Sequence, residues 1–234
     1  MLPIILLAAA VATTPDHAAR VEFLHNGLEK SLSALERKAA TPGVSITTRE
    51  LTNGAMAEVL LRGDGKSAAG LLRLVFNTQD MDPRSPNYGM LPWQTADRDI
   101  SDLNAIEFCT QAMGPLLLHY KDKLPPGFVA EMLPHLRAAF AALDRHDVKV
   151  SYTNIFLMKT VNMILIARAI DDRVTEAKGR RQLDDWIDYT RQAGIHEFDS
   201  PTYYSVDLNS LFMGYLYAGD AKLRAKFKSI LDYF

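Results

Sequence analysis

Apolar residues along this chain recur mostly three or four positions apart, the period of helices with one buried face. Val21, Leu24, Leu28, Leu32 and Leu35 form the first such stripe and predict a helix over 18–39, which Thr41-Pro42-Gly43 ends. Leu51, Met56, Val59 and Leu60 predict a second helix over 49–61, turning through Arg62-Gly63-Asp64-Gly65 into a third over 66–78. In that setting the Arg-Gly-Asp triplet reads as turn chemistry rather than as an adhesion motif. Residues 79–100 carry no helical period, and loops of such length inside compact domains are uncommon and often functional.

The second half repeats the layout. Ser101 reads as the N-cap of a helix over 102–121, with Leu103, Ile106, Met113, Leu117 and Tyr120 on its stripe. Pro125, Pro126 and Gly127 break it, and a return helix spans 128–143, where Pro134 predicts a kink or a late start. Residues 152–170 are apolar nearly all round, the pattern of an inner helix, whereas 180–193 carries Leu183, Trp186 and Ile187 on one side and charges elsewhere, the pattern of an outer one. Ser200 and Pro201 open a helix over 202–218, and Asp220 caps the last. Hairpins thus open near Arg49, Asp102, Tyr152 and Thr202, a period of roughly 50 residues. The fold class expected is all-α, with stacked helix hairpins forming an arc or partial (α/α) toroid.

Composition changes this picture little. With 26 basic and 28 acidic residues the net charge is -2, which gives no electrostatic footprint for nucleic acid or an anionic lipid surface. The uncharged apolar run over residues 1–12 reads as a secretory signal peptide with Ala12 the last residue removed; a buried N-terminal helix is the competing reading. Residues 13–234 then form one secreted or periplasmic domain, and no stretch reaches the about 20 apolar residues that a permanent membrane anchor needs. The single cysteine, Cys109, rules out a disulfide framework and reads as a small buried thiol. Asp184-Asp185-Trp186-Ile187-Asp188 matches the DDxxD pattern that holds diphosphate through Mg²⁺. Leu183 and Ile187 on the buried side make those aspartates a solvated face instead. No His/Cys cluster or Gly-rich phosphate loop appears, so neither metal nor cofactor is expected.

If the hairpins stack, the connections between them share one face with the first turns of the inner helices. Helix N-termini there direct N–H groups at a ligand. Gly89-Met-Leu-Pro-Trp93, Ser101-Asp-Leu-Asn-Ala-Ile-Glu-Phe108, Tyr152-Thr-Asn154 and Glu197-Phe-Asp-Ser-Pro-Thr-Tyr203 fall on that face. Together they resemble the polar inner rim of the α/α-toroid carbohydrate-active enzymes, the six-hairpin glycosidases and toroid polysaccharide lyases, over residues 49–234. The resemblance implies a polysaccharide or oligosaccharide as partner. A glycosidase needs two carboxylates about 5 to 9.5 Å apart, for which Glu107 and Glu197, with Asp102 and Asp207 as substitutes, are the candidates. A lyase needs a base such as Tyr203. Tyr88, Trp93, Asn104, Tyr152, Asn154, His196 and Tyr204 are the candidate substrate-binding residues. Against these roles, Asp102 and Glu197 also suit helix N-termini, and Asn162, on the face of Asn154, suits a structural hydrogen bond. A closed toroid takes about six hairpins, near 300 residues at this period, so the chain resembles a C-terminally truncated member. The alternative from another class is a non-catalytic helical-repeat binding or scaffold protein.

Overall fold

The computed structural model describes residues 15–196 and 200–234, and the chain is all-α: among these residues extended pairing is confined to an isolated antiparallel bridge between Thr47 and Gln94. The helices are α1 (Pro15–Ala39), α2 (Thr48–Ala57), α3 (Gly65–Phe76), α4 (Ala105–Thr110), α5 (Met113–Tyr120), α6 (Phe128–Arg145), α7 (Thr153–Ala169), α8 (Arg173–Ala193), α9 (Pro201–Tyr217) and α10 (Ala221–Leu231). The expected signal segment, 1–12, lies outside the described residues.

Helix α7 is the hub. Fifteen of its side chains, Thr153 through Ala167, are buried, and it packs against α8, α9, α5, α4 and α6. An apolar surface on every side leaves a helix no stable place but among others, as its composition predicts. Helices α2, α4–α5, α7 and α9 touch in succession, while α3, α8 and α10 each pack on the preceding member of that series and α6 packs on α4 and α7. Where helices meet closely, glycine makes room. A Cβ on Gly179 of α8 would come within 2.8 Å of Ile164 of α7, and one on Gly214 of α9 within 2.4 Å of the Phe227 ring of α10.

Four expectations need correction. The helix expected over 102–121 is broken into α4 and α5 at Gln111 and Ala112, and Ser101 does not cap it; α4 starts after Asn104 without a side-chain cap. Pro115 is the cause. Inside a continuous helix its ring would meet the Gln111 carbonyl and no N–H would reach that oxygen, whereas restarting at Met113 puts it in a first turn, where no donor is needed. Helix α8 begins at Arg173, earlier than the expected 180, because Asp172 caps it by accepting from the Thr175 N–H at 3.0 Å. Ser200 precedes α9 but makes no side-chain capping bond. Pro134 neither delays nor ends α6.

Helix α2 runs into a π-helical turn, Glu58–Arg62, against α1. Arg62 of the Arg-Gly-Asp triplet bonds Glu36 and Glu29 of α1 at 2.8 Å each and lies 3.5 Å from Glu58. Gly63 takes the left-handed conformation (φ 66°) and Asp64 caps α3. The triplet is a turn whose arginine is fully engaged.

Candidate functional site

The segment before α2 and the loop before α4 are laced together by their backbones. The Thr48 N–H donates to the Trp93 carbonyl (2.9 Å), the Thr95 N–H to the Ile46 carbonyl (2.9 Å), and the Ile46 N–H to the Thr95 hydroxyl (3.0 Å). This clamp fixes Trp93. Its indole N–H donates to Asp102 Oδ2 at 2.8 Å, and its ring lies 5.2 Å from that of Phe108. Asp102 Oδ1 accepts from the Asn104 N–H at 3.0 Å, and the Asn104 amide reaches the Tyr152 hydroxyl at 3.5 Å, the long limit of a hydrogen bond. Over Phe108 lies the guanidinium of Arg49, 4.6 Å from the ring centre. One surface therefore joins the openings of three hairpins, at α2, α4 and α7.

Beneath it the polar groups are enclosed. Glu107, in the first turn of α4, is fully buried and accepts from, or shares a proton with, His146 Nδ1 at 2.8 Å. Lys159 of α7, also buried, donates to the His146 carbonyl at 2.6 Å. Asn162 donates to the Glu107 carbonyl (2.7 Å) and the Thr110 hydroxyl (3.0 Å). One turn below Glu107, Gln111 at the α4–α5 break bonds Ser210 (3.1 Å) and Asn209 (2.9 Å) of α9, so amides join α4 to α7 and the break to α9. Burial pushes the Glu107 carboxyl up from the ordinary range, with His146 pulling it back, and burial pulls the Lys159 ammonium down. The Cys109 thiol, buried beside them, is driven up by burial, which disfavours the thiolate that a nucleophile needs.

The structure brings Trp93, Asp102, Asn104 and Tyr152 together and places Glu107 directly below. Asp207 is buried in α9 one turn above Ser210, and Asn154 is buried at the start of α7, where its Oδ1 accepts from the Ile155 N–H. Other candidates lie apart from this group. Tyr88 is held on the end of α6, where Arg145 donates to its carbonyl. Gln79 ties the same loop to α6 through the Gly89 and His135 carbonyls, at 2.9 and 3.0 Å. His196 bonds the Tyr189 hydroxyl of α8 at 2.6 Å, and Tyr204 packs edge-on against Phe234. Tyr203 is exposed at the start of α9, and Glu197 lies outside the described residues. Asp184 and Asp188 pair with Lys226 and Arg191 as the solvated face predicts, and no group of three metal-ligating side chains occurs among the described residues.

Arg49, Phe108, His146, Lys159 and Gln111 were not among the candidates. Only Lys159 carried a signal, a charge in an otherwise apolar helix; the others become site residues through contacts that no local spacing encodes.

The family model described as "Domain of unknown function (DUF8769)" matches residues 62–233. The chain belongs to this family. No curated protein and no solved structure matches it. Trp93, Asp102, Asn104, Glu107, Phe108 and Tyr152 fall within the DUF8769 segment, whereas Arg49 and residues 46–48 of the clamp precede it.

Proposed function

We propose that this chain is an exported carbohydrate-active protein that binds a polysaccharide or oligosaccharide where its hairpins open, the hairpins forming an arc or partial toroid. Carrying this reading is the side-chain run Trp93–Asp102–Asn104–Tyr152, which sets aromatic rings among carboxylate and amide groups across adjacent hairpins. Sugar rings offer apolar C–H faces to such aromatics, and their hydroxyls need fixed donors and acceptors. Binding is favoured over cleavage because Glu107 is enclosed and both Asp102 oxygens already accept hydrogen bonds, whereas glycoside hydrolysis uses two carboxylates facing the scissile bond. One observation favours a second reading, cleavage by hydrolysis or elimination: Glu107, its proton held tightly by burial, contacts His146, a pairing suited to proton transfer.

Affinity electrophoresis of the purified protein through gels containing neutral and uronate polysaccharides tests both. Retardation is expected, without new reducing ends and without the ultraviolet absorbance of unsaturated uronates, and Trp93→Ala abolishes it. Product formation would establish the second reading, and neither retardation nor product would sink the carbohydrate assignment. Export is checked by sequencing the N-terminus of the mature protein, expected to start at Thr13.

A further inference from the structure

Eight of the fifteen arginines form ion pairs or hydrogen bonds with described residues, and those that form neither are exposed, Arg49 apart. Arg62 joins three glutamates, Arg73 joins Glu131, Arg180 joins Glu176 and Asp220, and Arg168 holds carbonyls at the end of α9. Beneath the candidate face Lys159 is taken up by the His146 carbonyl, and away from it Arg145 is taken up by the Tyr88 carbonyl. Arg49 differs. It is half-buried at the second position of α2, lies over the Phe108 ring, has a buried Nε–H without a partner, and forms no ion pair or hydrogen bond with any described residue. A guanidinium held over an aromatic face keeps its N–H donors in their own plane, where they can still meet the two oxygens of a carboxylate or sulfate. Partial desolvation raises the value of such a partner, since an unpaired charge removed from water is costly and an anion repays it. The ring that carries Arg49 also packs on Trp93, so the cation and the aromatic platform belong to one surface.

We propose, resting on the carbohydrate reading above, that Arg49 makes this face selective for acidic glycans, pairing with a uronate carboxylate or a sulfate ester while Trp93 and Tyr152 meet the sugar rings. Arg49 acts here as a specificity-determining residue.

The test measures calorimetric affinity for oligogalacturonides, for the same oligomers methyl-esterified so that only the carboxylate charge is lost, and for neutral glucan and mannan oligomers. The wild type is expected to bind the free acids at least about tenfold more tightly than the esters, a preference that weakens with added salt. Arg49→Gln should abolish both the preference and the salt dependence while keeping the affinity for the esters. Arg49→Lys, with its charge but without the planar stack, should retain part of the preference, and circular dichroism confirms that each variant folds. Equal binding of acids and esters by the wild type, or an Arg49→Gln variant that weakens both alike, would overturn the selectivity while leaving the carbohydrate reading standing. Binding to no saccharide at all would overturn that reading and the selectivity with it.

Discussion

Polar side chains join the helices on two different terms, by which α3, α6, α8 and α10 are taken as an outer set and α4, α7 and α9 as an inner one. Between neighbouring outer helices the links are partly exposed ion pairs: Arg73 with Glu131 from α3 to α6, Lys178 with Asp144 from α8 to α6, and Lys226 with Asp184 from α10 to α8. Between inner helices α4, α7 and α9 the links are enclosed, Asn162 to the Glu107 carbonyl and Thr110 and Gln111 to Ser210 and Asn209, and the same holds for the Glu107–His146 pair that ties α4 to the end of α6. Water competes for every outer pair, so each is nearly interchangeable with solvent. No water replaces a partner lost inside, so the inner links specify which helices meet and at what height.

Breaking the inner set should have the largest effect. Glu107→Ala leaves the His146 ring nitrogen facing a cavity and is expected to lower stability by about 3 kcal/mol in urea denaturation. An unchanged midpoint would erase the distinction between the two kinds of link.

Glu58 sharpens the comparison because it is a buried acid at the α1 junction whose arginine partner is shared with two other carboxylates. Burial raises its carboxyl to about 7 from the usual 4.5, against the pull of Arg62 and with the help of Glu36 and Asp64. A carboxyl that holds its proton more tightly when folded stabilises the fold fully below about pH 4.5, and that contribution is lost as pH rises through 7. Glu58→Gln should therefore match the wild type near pH 4 and exceed it at pH 8 by on the order of 2 kcal/mol. Thermal melts across that range check the sign; a variant less stable at pH 8 would show that the charged form is the one the fold prefers.

Gln111→Leu should follow, at about 1 to 2 kcal/mol, since it strips partners from Ser210 and Asn209 while keeping the apolar volume. Last comes Arg73→Ala, for which the melting midpoint should stay within the scatter of replicate melts.

How much of this was readable in advance depends on whether a feature is local. The stripe of α1, the all-round apolar surface of α7 and the Asp220 cap of α10 are written in adjacent turns, and all three appear as expected. The break between α4 and α5 was also local, carried by Pro115, but the apolar period continued across it and hid it. The polar first turns of α8 offered no stripe before Leu183, so its true start at the Asp172 cap was missed. At the candidate face, Asp102 and Asn104 were legible as polar residues at a helix opening. That Glu107 lies beneath the surface and Arg49 upon it depends on which helices pack together, and no single segment contains that information.

The boundary of the family segment at residue 62 cuts through the clamp that aims Trp93. The indole belongs to the shared part, but the backbone that holds its loop and the cation beside its neighbour are contributed from outside it. Exchange of the segment that precedes residue 62 would therefore change what holds the Trp93 loop and what lies over the Phe108 ring, with every residue of the matched segment left as it is.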